Sequence, residues 1–322
     1  MRRMRRSVAS SSVLAGIWEA PGFVRERFVS LISFAPTEYP VLAIQLSLDW
    51  DSGGGTIRPM ESLRTLVRSF PSVLLGYSGG VDSALLAVVL RQELGRDRML
   101  AAIGRSASYP EAQWQAAIDV ATRFDIPLVE IQTHELEDAS YLANPTNRCF
   151  YCKTELWSRL VPLARERGLA IVCDGTNADD LHEHRPGKAA GVNAGVRSPL
   201  AEVGLTKAEI RAASRELGLP TWDVPAAPCL SSRVQYGLTI TPARLRQVEQ
   251  GEAFLRELGV RGDLRLRHHG EIARVEVEPS WIPWIEARRA AITDHLTTLG
   301  FARVEIDPHG YRRGSLLERS SP

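Results

Sequence analysis

Two groups of residues in this chain are of types, and at spacings, that can do chemistry. The first is Ser78-Gly79-Gly80-Val81-Asp82-Ser83, set between the apolar run "LLGY" and the apolar run "ALLAVVL". Paired glycines let the backbone turn tightly, and a helix starting near Val81 aims its free N–H groups at that turn. Donors and helix dipole then converge on an anion, phosphate above all. The Lys of a Walker A loop is missing, and the spacing is not that of a dinucleotide fingerprint. The second group is cysteine. Cys149 and Cys152 stand at CxxC spacing in "NRCFYCK", and Cys229 follows about eighty residues later in "PCLSSRVQYG". Two thiolates three apart at a helix start can share one metal, and a distant third completes a set that suits a [4Fe-4S] cluster with one open iron. Zinc, with His182 or His184 as fourth ligand, is an alternative, as is a redox dithiol, although a thioredoxin context is absent. Cys173, inside "AIVCDG", reads as a small buried hydrophobe.

Composition limits what surrounds these groups. The chain has 322 residues, 44% hydrophobic and 24% charged, enough for a sizeable core and two domains. The first 59 residues carry seven arginines and five acidic residues, so the chain's 39 basic and 38 acidic residues leave 32 against 33 from Met60 onward. No global basic field points to nucleic acid. Four cysteines are too few for a disulfide scaffold, and a reducing cytoplasm is the simpler setting. The apolar run "SVLAGIW" ends at Glu19 and is too short to span a membrane. Residues 1–59 read as an extension, disordered or the product of a misassigned start, because Met60 directly precedes the amphipathic stretch "ESLRTLVRSF".

From Met60 onward, strands and helices alternate. Runs at 72–77, 99–105, 127–133 and 170–176 read as strands, and 82–94, 110–124, 151–167 and 206–217 as helices. That order predicts an α/β fold with a parallel sheet. After about residue 238 the pattern changes to a helix capped by Thr241, a strand pair over "LRLRHHGEIARVEVEP", one helix over "WIPWIEARRAAITDHLTTLG" and a last strand in "FARVEIDPHG". The expected organisation is therefore an extension (1–59), a nucleotide-binding domain (60–237), a small α+β domain (238–317) and a tail (318–322).

"SGGVDS" matches the pyrophosphate loop of the PP-loop ATP pyrophosphatases, a superfamily that includes NAD synthetases, GMP synthetases and tRNA thiolases. From about Met60 to Leu317 the chain further resembles the LarE family. The blocks that carry this likeness are "SGGVDS", "NRCFYCK", "CDGTNADDLHEHRPG", "SPLAEVGLTK", "PCLSSRVQYG", "RLRHHGEIARVEV" and "LGFARVEIDPHGYRRGS". The resemblance implies a Rossmann-like PP-loop domain and an ATP-dependent sulfur transferase of nickel-pincer nucleotide synthesis. Such an enzyme adenylates a carboxylate of pyridinium-3,5-biscarboxylic acid mononucleotide and converts it to a thiocarboxylate. It implies a small-molecule substrate, sulfide or another sulfur donor, and a homo-oligomer, with neither nucleic acid nor membrane as partner.

The likeness also implies roles for single residues. Ser78, Gly79, Gly80, Val81, Asp82 and Ser83, with Asp174 and Gly175, would bind ATP, and Asp82 would hold Mg²⁺. Cys229 would deliver sulfur, and Glu202 in "SPLAE" would act as general acid or base. Lys153, Arg233, Arg265 and Arg267 would grip the substrate phosphate; the last two alternate along one strand and so share a face. Asp179 or Asp180 would assist with metal, or belong to a solvated loop. Two sulfur routes stay open: a [4Fe-4S] cluster on Cys149, Cys152 and Cys229, which the three-cysteine pattern favours, or sacrifice of Cys229 to dehydroalanine. A tRNA thiolase would share these local motifs, and a nucleotide sensor would bind ATP without releasing pyrophosphate.

Overall fold

The computed structural model describes residues 57–182, 186–225 and 228–312, together with Gly314 and Leu316. The expectations for residues 1–56, the tail and His184 lie outside these residues. In the first unit the elements run α1 (Ile57–Arg68), β1 (Val73–Gly76), α2 (Val81–Leu94), β2 (Met99–Arg105), α3 (Glu111–Arg123), β3 (Leu128–Gln132), α4 (Ala139–Leu142), α5 (Arg148–Glu166), β4 (Ile171–Cys173), α6 (Pro186–Asn193), α7 (Pro199–Glu202) and α8 (Lys207–Glu216). The second unit continues with α9 (Pro242–Glu257), β5 (Leu264–His269), β6 (Ile272–Val277), α10 (Ile282–Glu286), α11 (Arg289–Thr298) and β7 (Arg303–Ile306).

The four strands of the first unit form a parallel sheet in the order β3-β2-β1-β4. The chain steps from β1 to β2 to β3 on one side and then returns to place β4 on the other side of β1. That reversal opens a crevice at the carboxyl ends of β1 and β4, where ligands of open α/β sheets bind. The sheet is covered on both faces, as parallel sheets require. One face packs on α2, whose buried residues Ala84, Leu85, Leu86, Val88, Val89 and Leu90 leave it apolar nearly all round. Truncating Leu86, wholly buried, to alanine would cost about 2–5 kcal/mol. The other face packs on α5 through Trp157, Leu160, Leu163 and Ala164. Gly76 makes room for that tryptophan, since a Cβ at 76 would stand 2.7 Å from Trp157 Cη2.

The smaller sheet has the order β5-β6-β7, with an antiparallel β5/β6 hairpin and a parallel β6/β7 pair. The hairpin turns at Gly270, whose φ of 71° is left-handed and suits glycine. The single helix expected over 281–300 is instead two, α10 and α11. Arg288 leaves helical geometry (φ −117°, ψ 12°) and lays its guanidinium 3.8 Å from the centre of the Trp284 ring. The Trp281 and Trp284 rings meet edge to face and pack on the small core.

Tyr141, Leu230, Val234, Ile240, Leu245 and Val248 bury together in a cluster that straddles residue 238. The two sheets are thus joined by apolar packing of their own.

Candidate active site

The loop after β1 is fixed by sterics and by serine hydroxyls. Gly79 has φ +67°, and a Cβ on it would lie 2.4 Å from Ala117 Cβ, so conformation and space both demand glycine. Gly80 caps α2 with its backbone alone, which leaves the first N–H groups of the helix for a ligand. Ser78 N–H donates to Ser83 Oγ at 3.2 Å, and the Ser83 hydroxyl donates to the Gly80 carbonyl at 3.2 Å. The Tyr109 hydroxyl donates to the Ser78 carbonyl at 2.8 Å. Tyr77 turns inward to donate to the Ala117 carbonyl at 3.1 Å, and burial drives its hydroxyl pKa upward. Asp82 accepts from Asn177 Nδ2 at 3.1 Å and from Lys207 Nζ at 2.5 Å.

Across the crevice, the end of β4 comes so close that a Cβ on Gly175 would stand 2.8 Å from Ser83 N. Asp174 accepts from Thr176 N–H (3.0 Å), Thr176 Oγ1 (2.9 Å) and Ser198 Oγ (2.8 Å), which holds the strand end rigid. Asp179 accepts from the N–H of Lys207 at 2.8 Å, whereas Asp180 is buried and exchanges hydrogen bonds with Asn177.

These residues open onto a cavity of about 710 Å³. Ser78, Asp82, Ser83, Asp174, Gly175 and Thr176 line its loop end. Cys149, Lys153, Thr146, Lys188 and Tyr236 line it too, with Asp180. The β1–α2 loop and Cys149 therefore share one chamber, which is of the size usual for ligand sites.

Cys149 and Cys152 sit in the first turns of α5, and Cys229 precedes the short turn Leu230–Arg233. None is in a disulfide. Burial first, then the neighbouring Cys229, raises the pKa of Cys149 against the lowering pull of Arg148. Cys152 is pushed up by burial and then by Glu135 and Cys229. Arg148 is lowered by burial, but the Cys229 and Cys149 thiols outweigh that and its pKa is raised. The three thiols thus share one electrostatic neighbourhood with a buried cation. Soft, unpaired donors from two segments fit a thiolate-bound cluster in chemistry. Among the described residues, no three His, Cys, Asp or Glu side chains are arranged to hold a metal ion. His182 is exposed and does not line the cavity.

A buried hydroxyl network backs the cysteines. Glu135, 2% exposed, accepts from the Ser108 hydroxyl at 2.6 Å and from Ser106, while its second oxygen is buried without a partner among the described residues. The Ser108 carbonyl accepts from Leu230 N–H at 2.8 Å, and Tyr141 and Ser231 share a hydroxyl bond of 2.6 Å. Asn144 donates to the carbonyls of Val234 and Gln235 and accepts from Arg148 at 2.5 Å. The segment before α5 thereby holds the Cys229 loop in place.

Other candidates lie elsewhere. Glu202 does not line the cavity; both of its oxygens engage Arg197, with Nε at 3.1 Å. Arg233, in the turn before α9, and Arg265 and Arg267, on β5, are buried and also do not line it. Arg233 clasps Glu252 through two bonds of 2.9 and 3.0 Å, and Arg267 donates to Glu276 at 2.9 Å. Arg265 stacks 4.9 Å from the Tyr311 ring centre; burial, then Arg233, lowers its pKa. His268 is buried against Gln247 and Phe301, and His269 meets Gln235 at 3.0 Å.

Sequence reasoning missed Lys207, Lys188, Thr146, Tyr236 and Glu135. Lys207 carried a readable signal. It directly follows Thr206, whose capping box with Glu209 starts α8, and a cation in a first helical turn opposes the dipole unless an anion is near.

Comparison with known proteins accords with this geometry. The NAD synthase family profile matches residues 59–152, from α1 through the phosphate-type loop to Cys152. An uncharacterized protein of Synechocystis sp. is 39% identical over 259 residues, 80% of this chain and 96% of that one. An uncharacterized protein of Methanocaldococcus jannaschii is 28% identical over 240 residues, 74% of this chain and 90% of that one. The pyridinium-3,5-bisthiocarboxylic acid mononucleotide synthase of Lactiplantibacillus plantarum is 32% identical over 255 residues, 79% of this chain and 92% of that protein. With that identity sustained along nearly the whole of the synthase, the chain belongs to the LarE family of the PP-loop proteins.

Proposed function

We propose that this protein is an ATP-dependent sulfur transferase that converts a carboxylate of pyridinium-3,5-biscarboxylic acid mononucleotide to a thiocarboxylate. The observation that carries the reading is the single cavity holding both the β1–α2 loop and Cys149. A carboxylate is a poor electrophile, and transfer to the α-phosphate of ATP makes it an acyl adenylate with AMP as leaving group. The leading N–H groups of α2 and the Ser78 and Ser83 hydroxyls would cradle the departing pyrophosphate. Asp82 would exchange its Lys207 contact for Mg²⁺, freeing the ammonium to meet phosphate. A sulfur nucleophile then takes the acyl group at the cysteine end.

Cys149, Cys152 and Cys229 would hold a [4Fe-4S] cluster, which supplies an iron able to bind the transferred sulfide. Arg148, buried beside the thiols, would offset the negative charge of that assembly. The Glu135 hydroxyl network would keep the Cys229 loop from drifting. A single-use route remains a defined competitor, in which Cys229 sulfur forms a thioester and leaves as thiocarboxylate when the Cα proton is removed.

The test is anaerobic reconstitution followed by turnover with ATP, mononucleotide and sulfide, iron analysis, and intact mass. About four irons per chain, unchanged mass and several products per chain support the cluster reading. A chain lighter by one hydrogen sulfide at Cys229 establishes the single-use route. Pyrophosphate release without thiolated product sinks sulfur transfer altogether.

A further inference from the structure

The resemblance groups Lys153 with three arginines on one substrate phosphate, but the structure separates them. Lys153 lines the cavity, and Arg233, Arg265 and Arg267 do not. A different partner stands beside Lys153. Lys188, on α6, lines the same cavity, and Gly187 lets α6 press onto α5: a Cβ there would lie 3.0 Å from Lys153 Cγ and 3.2 Å from the Cys149 carbonyl oxygen. Neither ammonium has a carboxylate partner among the described residues; the ion-paired lysine of the cavity region is Lys207, on Asp82. Among the described residues Lys153 meets the Trp157 ring, its Nζ 5.3 Å from the centre. The acids of the cavity wall are already engaged, Asp82 by Lys207 and Asn177, Asp174 by Thr176 and Ser198, and Asp180 by Asn177. Two lysines without a carboxylate partner among the described residues therefore line the cavity that Cys149 also lines.

We propose that Lys153 and Lys188 form a carboxylate subsite that grips one carboxylate of an aromatic dicarboxylate while the other is presented to the phosphate loop. This rests on the proposed reaction. The choice of carboxylate over phosphate follows from position. The loop end already has backbone N–H groups, serine hydroxyls and Lys207 for phosphate. Lys153 and Lys188 come from α5 and α6, segments distinct from that loop. A ring bearing two carboxylates can span the two ends, whereas a monocarboxylate would leave the lysines unpaired. Lys188 is thereby a specificity residue for the second carboxylate.

Isothermal titration of the full chain with pyridine-3,5-dicarboxylate, with nicotinate, and with Mg²⁺–pyrophosphate tests this. K188M, at an exposed position compatible with folding, should weaken dicarboxylate binding about tenfold, and K188R should recover most of that loss. Pyrophosphate affinity should change less than about twofold, and nicotinate should bind wild type no better than the dicarboxylate binds K188M. Equal weakening of pyrophosphate would assign the pair to phosphate and overturn the proposal. So would unchanged dicarboxylate binding in K188M, or no dicarboxylate binding by wild type. Turnover separates this from the reaction itself. Wild type that thiolates the mononucleotide while K188M keeps its KM removes the subsite alone; lysine-dependent dicarboxylate binding without thiolation removes the sulfur-transfer reading alone.

Discussion

Two cationic regions of this protein are built in opposite ways. Around the β1–α2 loop, positive potential comes from backbone N–H groups held open by Gly79, Gly80 and a close-packed Gly175, with few side-chain charges. Around α9 and β5 it comes from Arg233, Arg265 and Arg267, buried guanidiniums already committed to Glu252, Glu276 and carbonyl oxygens. The first offers helix N–H groups that no side-chain cap occupies. The second must exchange existing partners to accept an anion. Backbone donors have their orientation fixed by the fold, whereas a buried guanidinium requires a counter-charge to be buried at all.

Substitutions that break this contrast should differ in size and kind. The largest effect should be at the loop. G79A forces a side chain into left-handed backbone and onto Ala117, and should lower pyrophosphate release by at least about 100-fold, read in a pyrophosphate assay at saturating ATP. Retention of more than a tenth of the rate would show that the loop is not where the phosphates sit. In the arginine region the first loss should be stability. R233M leaves Glu252 without its clasp and should cost about 3–5 kcal/mol in urea unfolding. A loss of substrate affinity without lost stability would instead make Arg233 a free ligand-binding group.

K207M sharpens the comparison, because among the described residues Lys207 is the side-chain charge placed on the loop's aspartate. It should raise the KM for Mg²⁺–ATP roughly tenfold, with a smaller change in kcat. The smallest effect concerns His268, whose pKa burial and then Arg244 lower to about 4. The neutral ring is favoured when folded, so its contribution is complete above the ordinary pKa of 6.5 and is lost as pH falls from there through about 4. After allowance for partial solvation, wild type should lose about 2 kcal/mol more than H268Q between pH 7 and pH 4 in urea titrations. Equal losses in both would remove the histidine from the acid response.

The parallel sheet was legible because its strands are continuous apolar runs separated by helical periods, as strands buried on both faces must be. The phosphate-type loop was legible for a local reason, since two glycines at a strand-to-helix junction leave few alternatives. What could not be read was any partnership set by the crossover of the chain. Lys207 meets Asp82 across 125 positions, and Glu135 meets Ser108 across 27. Glu202 matched an expected acid by its neighbours in sequence, yet Arg197, five residues away, occupies both its oxygens. The break at Arg288 was hidden because the apolar spacing of Ile285, Ile292 and Leu296 persists through it, and only the stacking on Trp284 marks it. Residue types foretold which chemistries were available, and topology chose among the partners.

The apolar seam of Tyr141, Leu230, Val234, Ile240, Leu245 and Val248 also bears on how such a protein can be inherited. A chain severed near residue 238 would expose a sticky face on both fragments, and the loop bearing Cys229 would lose half of its footing. Neither piece is portable. Recombination that moved the nucleotide-binding half onto another partner would have to recreate this seam before the sulfur end could work, so the two halves are expected to travel through evolution together.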